Sequence, residues 1–144
     1  MAVIENTTKK KCEQGEVTLG VGVRLSRTPD VGMIMKSCGF DWLFIDTEHG
    51  TLDLYTAAQI STAALLHGIT PVVRVAAGDS HLSTRILDGG AQGIVLPHVN
   101  GPEEARAWVS NCKFPPEGQR SNAGSGPQAA YASLPLGELL PALN

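Results

Sequence analysis

Four short apolar runs, each followed by a segment of helical periodicity, divide this chain into repeated strand-then-helix units. The first run is residues 18–25 (TLGVGVRL), and it predicts a helix over residues 29–37, with Thr28 as N-cap and Pro29 at the first helical position. The second run, residues 42–46 (WLFID), lies between Gly39 and the polar turn TEHG. Behind it, Leu54, Ala57, Ile60 and Ala64 recur at helical spacing, so residues 52–66 read as a helix that stops at His67-Gly68. The third run is residues 70–75 (TPVVRV), with a short helix over residues 81–87 after Ser80. The fourth is residues 93–96 (GIVL), and its helix opens at Pro102-Glu103-Glu104, where proline and acids suit a helix start, and runs to residue 111.

Short, nearly all-apolar strands alternating with helices predict an α/β fold with a parallel sheet covered by helices. An open doubly wound sheet would place a Gly-rich phosphate turn after the first strand, and the turn here, SRTPD, lacks the GxGxxG spacing. The other architecture is a (βα)8 TIM-type barrel, which takes about 250 residues. Four parallel strands leave two unpaired edges and do not close. The expectation is therefore that residues 1–144 supply the first four βα units, the amino-terminal half of one barrel domain, with residues 1–16 as an extension in front.

Composition narrows the class. A chain of 144 residues, 42% hydrophobic and 17% charged, is globular, and 5% aromatic with 16 Gly and 9 Pro suits strands joined by punctuated loops more than a helical bundle. A net charge of −3 argues against a nucleic-acid partner or an anionic membrane surface. No apolar run approaches the roughly 20 residues of a membrane helix, and the start MAVIENTTKKKCEQ lacks a secretory core, so a cytoplasmic location is expected. Cys12, Cys38 and Cys112 are too widely spaced for a disulfide framework or a zinc site and read as reduced structural thiols. The stretch SNAGSGPQAA, residues 121–130, is the only one whose composition suggests a loose segment.

In either architecture ligands bind at the carboxyl ends of the strands. Asp46, Glu48 and His49 fall there after the second strand, Arg74 at the end of the third, and Pro97-His98 after the fourth. Arg74 interrupts an apolar strand and must find an anion, because an unpaired buried guanidinium costs several kcal/mol. Spacing does not choose between Asp46 or Glu48 on the neighbouring strand and a substrate carboxylate or enolate, which the planar fork also suits. His49 beside two carboxylates suits a general base. The carboxylates also fit Mg²⁺ or Mn²⁺, although two acids on one strand end are weak evidence for a site. His67 reads as a helix C-terminal residue, His81 as a solvated helix start and His98 as structural.

Together GFDWLFIDTEHG (residues 39–50), VVRV (72–75), LDGGAQGIVLPHV (87–99) and FPPEGQR (114–120) resemble the HpcH/HpaI aldolases, the class II pyruvate aldolases that include 2-dehydro-3-deoxyglucarate aldolase, from about residue 17 onward. The resemblance implies a modified (βα)8 barrel, usually a homo-oligomer (trimer or hexamer), and a divalent metal, Mg²⁺ or Mn²⁺ or else Co²⁺, that holds a 2-oxo acid such as pyruvate as its enolate. It implies reversible cleavage of a 4-hydroxy-2-oxo acid or 2-oxo-3-deoxy sugar acid, with oxaloacetate decarboxylation or citrate-lyase-like chemistry as related enolate reactions. By motif, His49 matches the catalytic histidine, Arg74 the arginine that binds substrate and steadies the enolate, and Asp88 the acid that pairs with the histidine. The family's direct metal ligands, a Glu and an Asp, belong to strands of the second half, so no direct ligand is expected in residues 1–144 and Asp46 and Glu48 are outer-shell candidates. Ser121 stands where many relatives have glycine.

Asp88 raises a question of geometry. The helix after the third strand runs down from the rim, which puts its end far from His49 of the same subunit. Either that boundary is misplaced or a neighbouring subunit supplies the acid, and the second is favoured. A non-catalytic half-barrel that becomes competent only with a second polypeptide is the competing expectation.

Overall fold

A computed structural model describes residues 3–78 and 80–144. Its order is α1 (Thr7–Glu13), β1 (Gly20–Val23), α2 (Asp30–Ser37), β2 (Trp42–Asp46), α3 (Leu54–Leu66), β3 (Thr70–Arg74), α4 (Ser80–Asp88), β4 (Gly93–Val95), α5 (Pro102–Cys112), a 3₁₀ turn (Pro127–Ala129) and α6 (Leu136–Leu143). The strands form one parallel sheet in the order β1-β2-β3-β4, the arrangement expected from alternating strands and helices.

Register sorts the strand residues onto two faces. Leu43, Ile45 and Val73 are fully buried with Val31 of α2, Ala57, Ile60 and Ala64 of α3 and Ile86 of α4. Each fully buried aliphatic side chain contributes roughly 1.5–3 kcal/mol. The α2–α3 contact is close because Gly32 lies against Ala64, where an added Cβ would press on the helix backbone. On the opposite face the paired rows are Gly20–Trp42–Thr70, then Gly22–Phe44–Val72–Gly93, then Asp46–Arg74–Val95. Gly20 leaves room for the Trp42 indole, which a side chain there would strike. Apart from Thr70 that face is apolar at its lower rows, and it becomes charged only at the carboxyl ends, where Asp46 and Arg74 are direct neighbours.

Several boundaries differ from expectation. Helix α2 starts at Asp30, with Pro29 as a cap position that offers no side-chain hydrogen bond, so Thr28 is not the N-cap. In α3 the cap is Asp53, whose carboxylate accepts from the Thr56 N–H at 2.8 Å. The described part of residues 1–16 is built into the fold. Thr8 Oγ1 donates to the Asp41 carbonyl, Lys11 pairs with Asp41 at 2.7 Å, and Asn6 Nδ2 donates to the Gln92 carbonyl, so α1 covers the amino-terminal ends of the strands. Residues 121–130 are not loose throughout. Pro127, Gln128 and Ala129 are buried, and Gln128 Nε2 donates to the Leu87 and Ala91 carbonyls while its own carbonyl accepts from Ile4. Small residues there permit close packing. All three cysteines are free, and Cys12 and Cys38 are exposed, which does not fit a structural thiol. Among the described residues no helix is long and apolar enough to cross a membrane.

Candidate active site

The β2–α3 loop is ordered by the strand that precedes it. Asp46 Oδ1 accepts from the Glu48 and His49 N–H groups, both at 3.1 Å, turning the chain sharply at the rim. Thr47 extends the β3 pairing, its N–H and hydroxyl both donating to the Arg74 carbonyl at 3.1 and 2.6 Å. Gly50 brings the loop back against the strands. A Cβ at that position would collide with the Asp46 and Arg24 carbonyls. Arg24, immediately after β1, donates from Nη2 to the His49 carbonyl at 2.8 Å, and Arg27 donates to the Thr51 carbonyl at 3.1 Å.

The question left open for Arg74 is answered by its neighbours. Nε donates to Asp46 Oδ1 at 3.0 Å and Nη2 to Oδ2 at 2.7 Å, a bidentate fork. The guanidinium also stacks over Phe44 at 5.3 Å from the ring centroid. The hydrogen bond from Arg74 holds the Asp46 carboxyl down at about 2, against burial, which raises it. The same bond raises Arg74. One edge of the guanidinium is thereby spent, and the side chain remains 24% exposed.

Glu48 is the centre of charge. Oε2 lies 3.3 Å from Arg74 Nε and 3.7 Å from His49 Nε2, and Oε1 lies 3.4 Å from His98 Nε2. The single Nε hydrogen of Arg74 already goes to Asp46, and Oε2 is buried with no hydrogen-bond donor. His98 sits in the left-handed region at φ 53°, with its carbonyl accepting from Asn100 Nδ2 at 2.9 Å. A non-glycine residue held there is strained by about 1–2 kcal/mol. Sequence reasoning assigned His98 a structural place and passed over Arg24. His98 was placed at the rim by the strand-end criterion but given no chemical part, whereas Arg24 was read inside the first apolar run and in fact follows β1 directly.

Of the sequence candidates, the structure brings Asp46, Glu48, His49 and Arg74 together and adds His98 and Arg24. It does not bring Asp88 to His49 within this chain. Asp88 ends α4, whose direction carries it to the amino-terminal end of the sheet, and it pairs with Arg120 Nη2 at 2.6 Å. Among the described residues there is no group of three or more His, Cys, Asp or Glu side chains that could hold a metal ion. His67 caps α3, its Nδ1 2.8 Å from the Ala63 carbonyl, and His81 is exposed.

This arrangement can accept a proton at an exposed histidine and hold an anion beside two guanidiniums. The family model of HpcH/HpaI aldolase/citrate lyase matches residues 25–133. A 4-hydroxy-4-methyl-2-oxoglutarate aldolase of Hapsidospora irregularis is 44% identical over 138 residues, 94% of this chain and 51% of the relative. A 2-keto-3-deoxy-L-rhamnonate aldolase of Escherichia coli is 36% identical over 132 residues, 90% of this chain and 48% of the relative. The crystal structure of an HpcH/HpaI aldolase from Desulfitobacterium hafniense DCB-2 superposes with a TM-score of 0.87 at 28% identity, covering 94% of this chain and 52% of that one. The chain thus spans about half the length of the curated relatives it matches.

Proposed function

The chain belongs to the HpcH/HpaI aldolase/citrate lyase family, and from that premise we propose that its residues form the amino-terminal half of a (βα)8 barrel aldolase. The reaction is reversible cleavage of a 4-hydroxy-2-oxo acid or 2-oxo-3-deoxy sugar acid to pyruvate and a carbonyl fragment. The observation that carries this reading is the convergence of His49 and Arg74 on Glu48 at the carboxyl ends of neighbouring strands. His49 takes the C4 hydroxyl proton as the C3–C4 bond breaks. The bond electrons pass into the enolate of pyruvate, whose oxygen meets the free donors of Arg74, and protonation at C3 completes the release. General base catalysis of this kind is worth roughly 10²–10⁴ in rate.

The family is generally divalent-metal dependent. The described residues do not fit a direct Mg²⁺, Mn²⁺ or Co²⁺ shell. Asp46 has its oxygens filled by Arg74 and two backbone amides, whereas Glu48 Oε2 has room for a donor and is the better outer-shell candidate. The remaining ligands belong to the other half of the barrel, supplied by a continuation or by a second polypeptide.

Family members are typically oligomeric. Asp88, more than a third exposed and turned away from its own His49 by α4, suits contact with His49 of a neighbouring subunit. The test mixes His49→Ala and Asp88→Ala subunits and follows divalent-dependent release of pyruvate. Partial recovery in hybrid oligomers supports an acid shared between subunits, and hybrids as inactive as either parent overturn it. Absence of pyruvate release from every 4-hydroxy-2-oxo acid offered to the complete barrel with Mg²⁺ or Mn²⁺ present sinks the aldolase reading itself.

A further inference from the structure

We propose that Arg24 is the binding residue for a second carboxylate, carried on C4 of the substrate, so that the site is built for oxo diacids. The inference rests on the aldolase reading, which places C4 and its hydroxyl at His49. Three observations fix Arg24 against the His49 loop. Its Nη2 donates to the His49 carbonyl at 2.8 Å. Its own carbonyl packs where a Cβ on Gly50 would fall, so the backbone next to His49 is in contact as well as the side chain. Its Nε lies 3.6 Å from Asp46 Oδ2, the same oxygen that Arg74 Nη2 reaches at 2.7 Å, so one carboxylate stands between the two guanidiniums.

The hydrogen-bond inventory leaves Arg24 with capacity. Asp46 already accepts two bonds from Arg74 and two from the backbone, and 3.6 Å is too long for a further one. Of five guanidinium donors, the His49 carbonyl engages one. The side chain is 61% exposed at the rim, while the acid nearest to it is buried and neutralised by Arg74. A planar cation with free donors, held next to the histidine that handles C4, matches a carboxylate on that carbon better than a hydroxyl or an alkyl group. Arg74 then meets the pyruvate end and Arg24 the far end, on either side of Asp46. No additional reactant is needed. C3–C4 cleavage releases a 2-oxo acid in place of a simple aldehyde, and the proton count is unchanged.

Two isosteric pairs test this. In binding, 2-oxoglutarate and 2-oxopentanoate, which differ only in the terminal carboxylate, are titrated onto the protein by calorimetry. The diacid should bind about 10–100-fold more tightly, the contribution of one well-made charged hydrogen-bond pair. Arg24→Gln should shrink that ratio to a few-fold, and Arg24→Lys should restore part of it by keeping the charge. In turnover, the kcat/KM ratio of 4-hydroxy-2-oxoglutarate to 4-hydroxy-2-oxopentanoate should fall in the same order. Equal affinity for both acids in the wild type, or a ratio untouched by Arg24→Gln, overturns the proposal. A parallel loss on both substrates at constant ratio also overturns it, because that is the signature of a residue that only braces the His49 loop. A wild-type affinity gap without pyruvate release from either substrate by the complete, metal-supplied barrel would support the subsite and refute the aldolase chemistry instead.

Discussion

Two arginine–carboxylate pairs mark opposite ends of this half-barrel, and they are oriented in opposite senses. At the carboxyl rim Asp46 is 2% exposed and Arg74 is 24% exposed. At the amino-terminal end Arg120 is 5% exposed, stacked over Phe114 at 4.5 Å, and Asp88 is 37% exposed. The rim therefore buries its anion and presents a cation, which suits an enolate or a carboxylate. The other end buries its cation and presents an anion, which suits a protonated imidazole from outside the subunit. One chemical pair thus prepares two surfaces for ligands of opposite charge, according to which partner the fold places in solvent.

The largest consequence concerns stability. Removing the solvent-facing partner of the rim pair leaves a buried carboxylate without its charge, and breaking such a pair costs about 3–5 kcal/mol. Arg74→Met should destabilise the protein by that amount in urea denaturation. Arg120→Met removes the buried partner instead, leaves Asp88 to water, and puts a thioether over the Phe114 ring, so its cost should be near 1 kcal/mol. Equal costs for the two variants would break the comparison, since the orientation of the pairs would then have no energetic meaning.

How much of this was legible in the chain depends on the range of the interactions. The run WLFID coincides with β2, because continuous apolar character between a glycine and a polar turn is a local signal. The rim cluster was legible for the same reason, since Asp46 to His49 follow that strand without interruption. Whether Arg74 would meet Asp46 or Glu48 depended on strand register, which no local pattern encodes, and the observed row pairs Asp46 with Arg74 directly. The Asp88–Arg120 pair joins residues 32 apart in sequence and was equally hidden. Helix α1 escaped notice because TTKKKCE buries nothing and so shows no apolar stripe. In α6, LGELLPAL carries an internal proline that argues against the helix, yet Leu139 is fully buried and anchors it.

A pH titration sharpens the contrast at intermediate magnitude. The folded protein holds the Asp46 carboxyl at about 2, below its ordinary 3.8, chiefly through the bond from Arg74. A depressed carboxylate contributes stability that is complete above its unfolded value and lost as pH falls toward its folded one. The contribution should therefore be full above about pH 4 and disappear toward pH 2, an effect of about 2 kcal/mol. Denaturation of the wild type and Asp46→Asn at pH 5 and at pH 2.5 measures it. The gap between the two proteins should narrow by more than half at the lower pH, because the variant has no carboxylate to protonate. A gap that persists in acid would mean that shape and backbone bonds, and not charge, hold the rim together.

The smallest effect is the response to salt, and it tests solvent access most directly. Mobile ions screen charges they can approach, with a Debye length near 10 Å at 0.1 M and about 3 Å at 1 M. Both pairs make short contacts, so distance does not distinguish them. What differs is that ions can reach Asp88 freely and Asp46 hardly at all. Double-mutant cycles on each pair at 0.05 M and 1 M sodium chloride should show the Asp88–Arg120 coupling falling by about 0.3–0.5 kcal/mol, the scale of exposed ion pairs. The Asp46–Arg74 coupling should stay constant within error. If the rim coupling fell as far, salt would be entering between β2 and β3, and the buried anion inferred there would in fact be wet. If neither fell, Asp88 would be shielded, and a surface acid offered to a neighbouring subunit would no longer describe it.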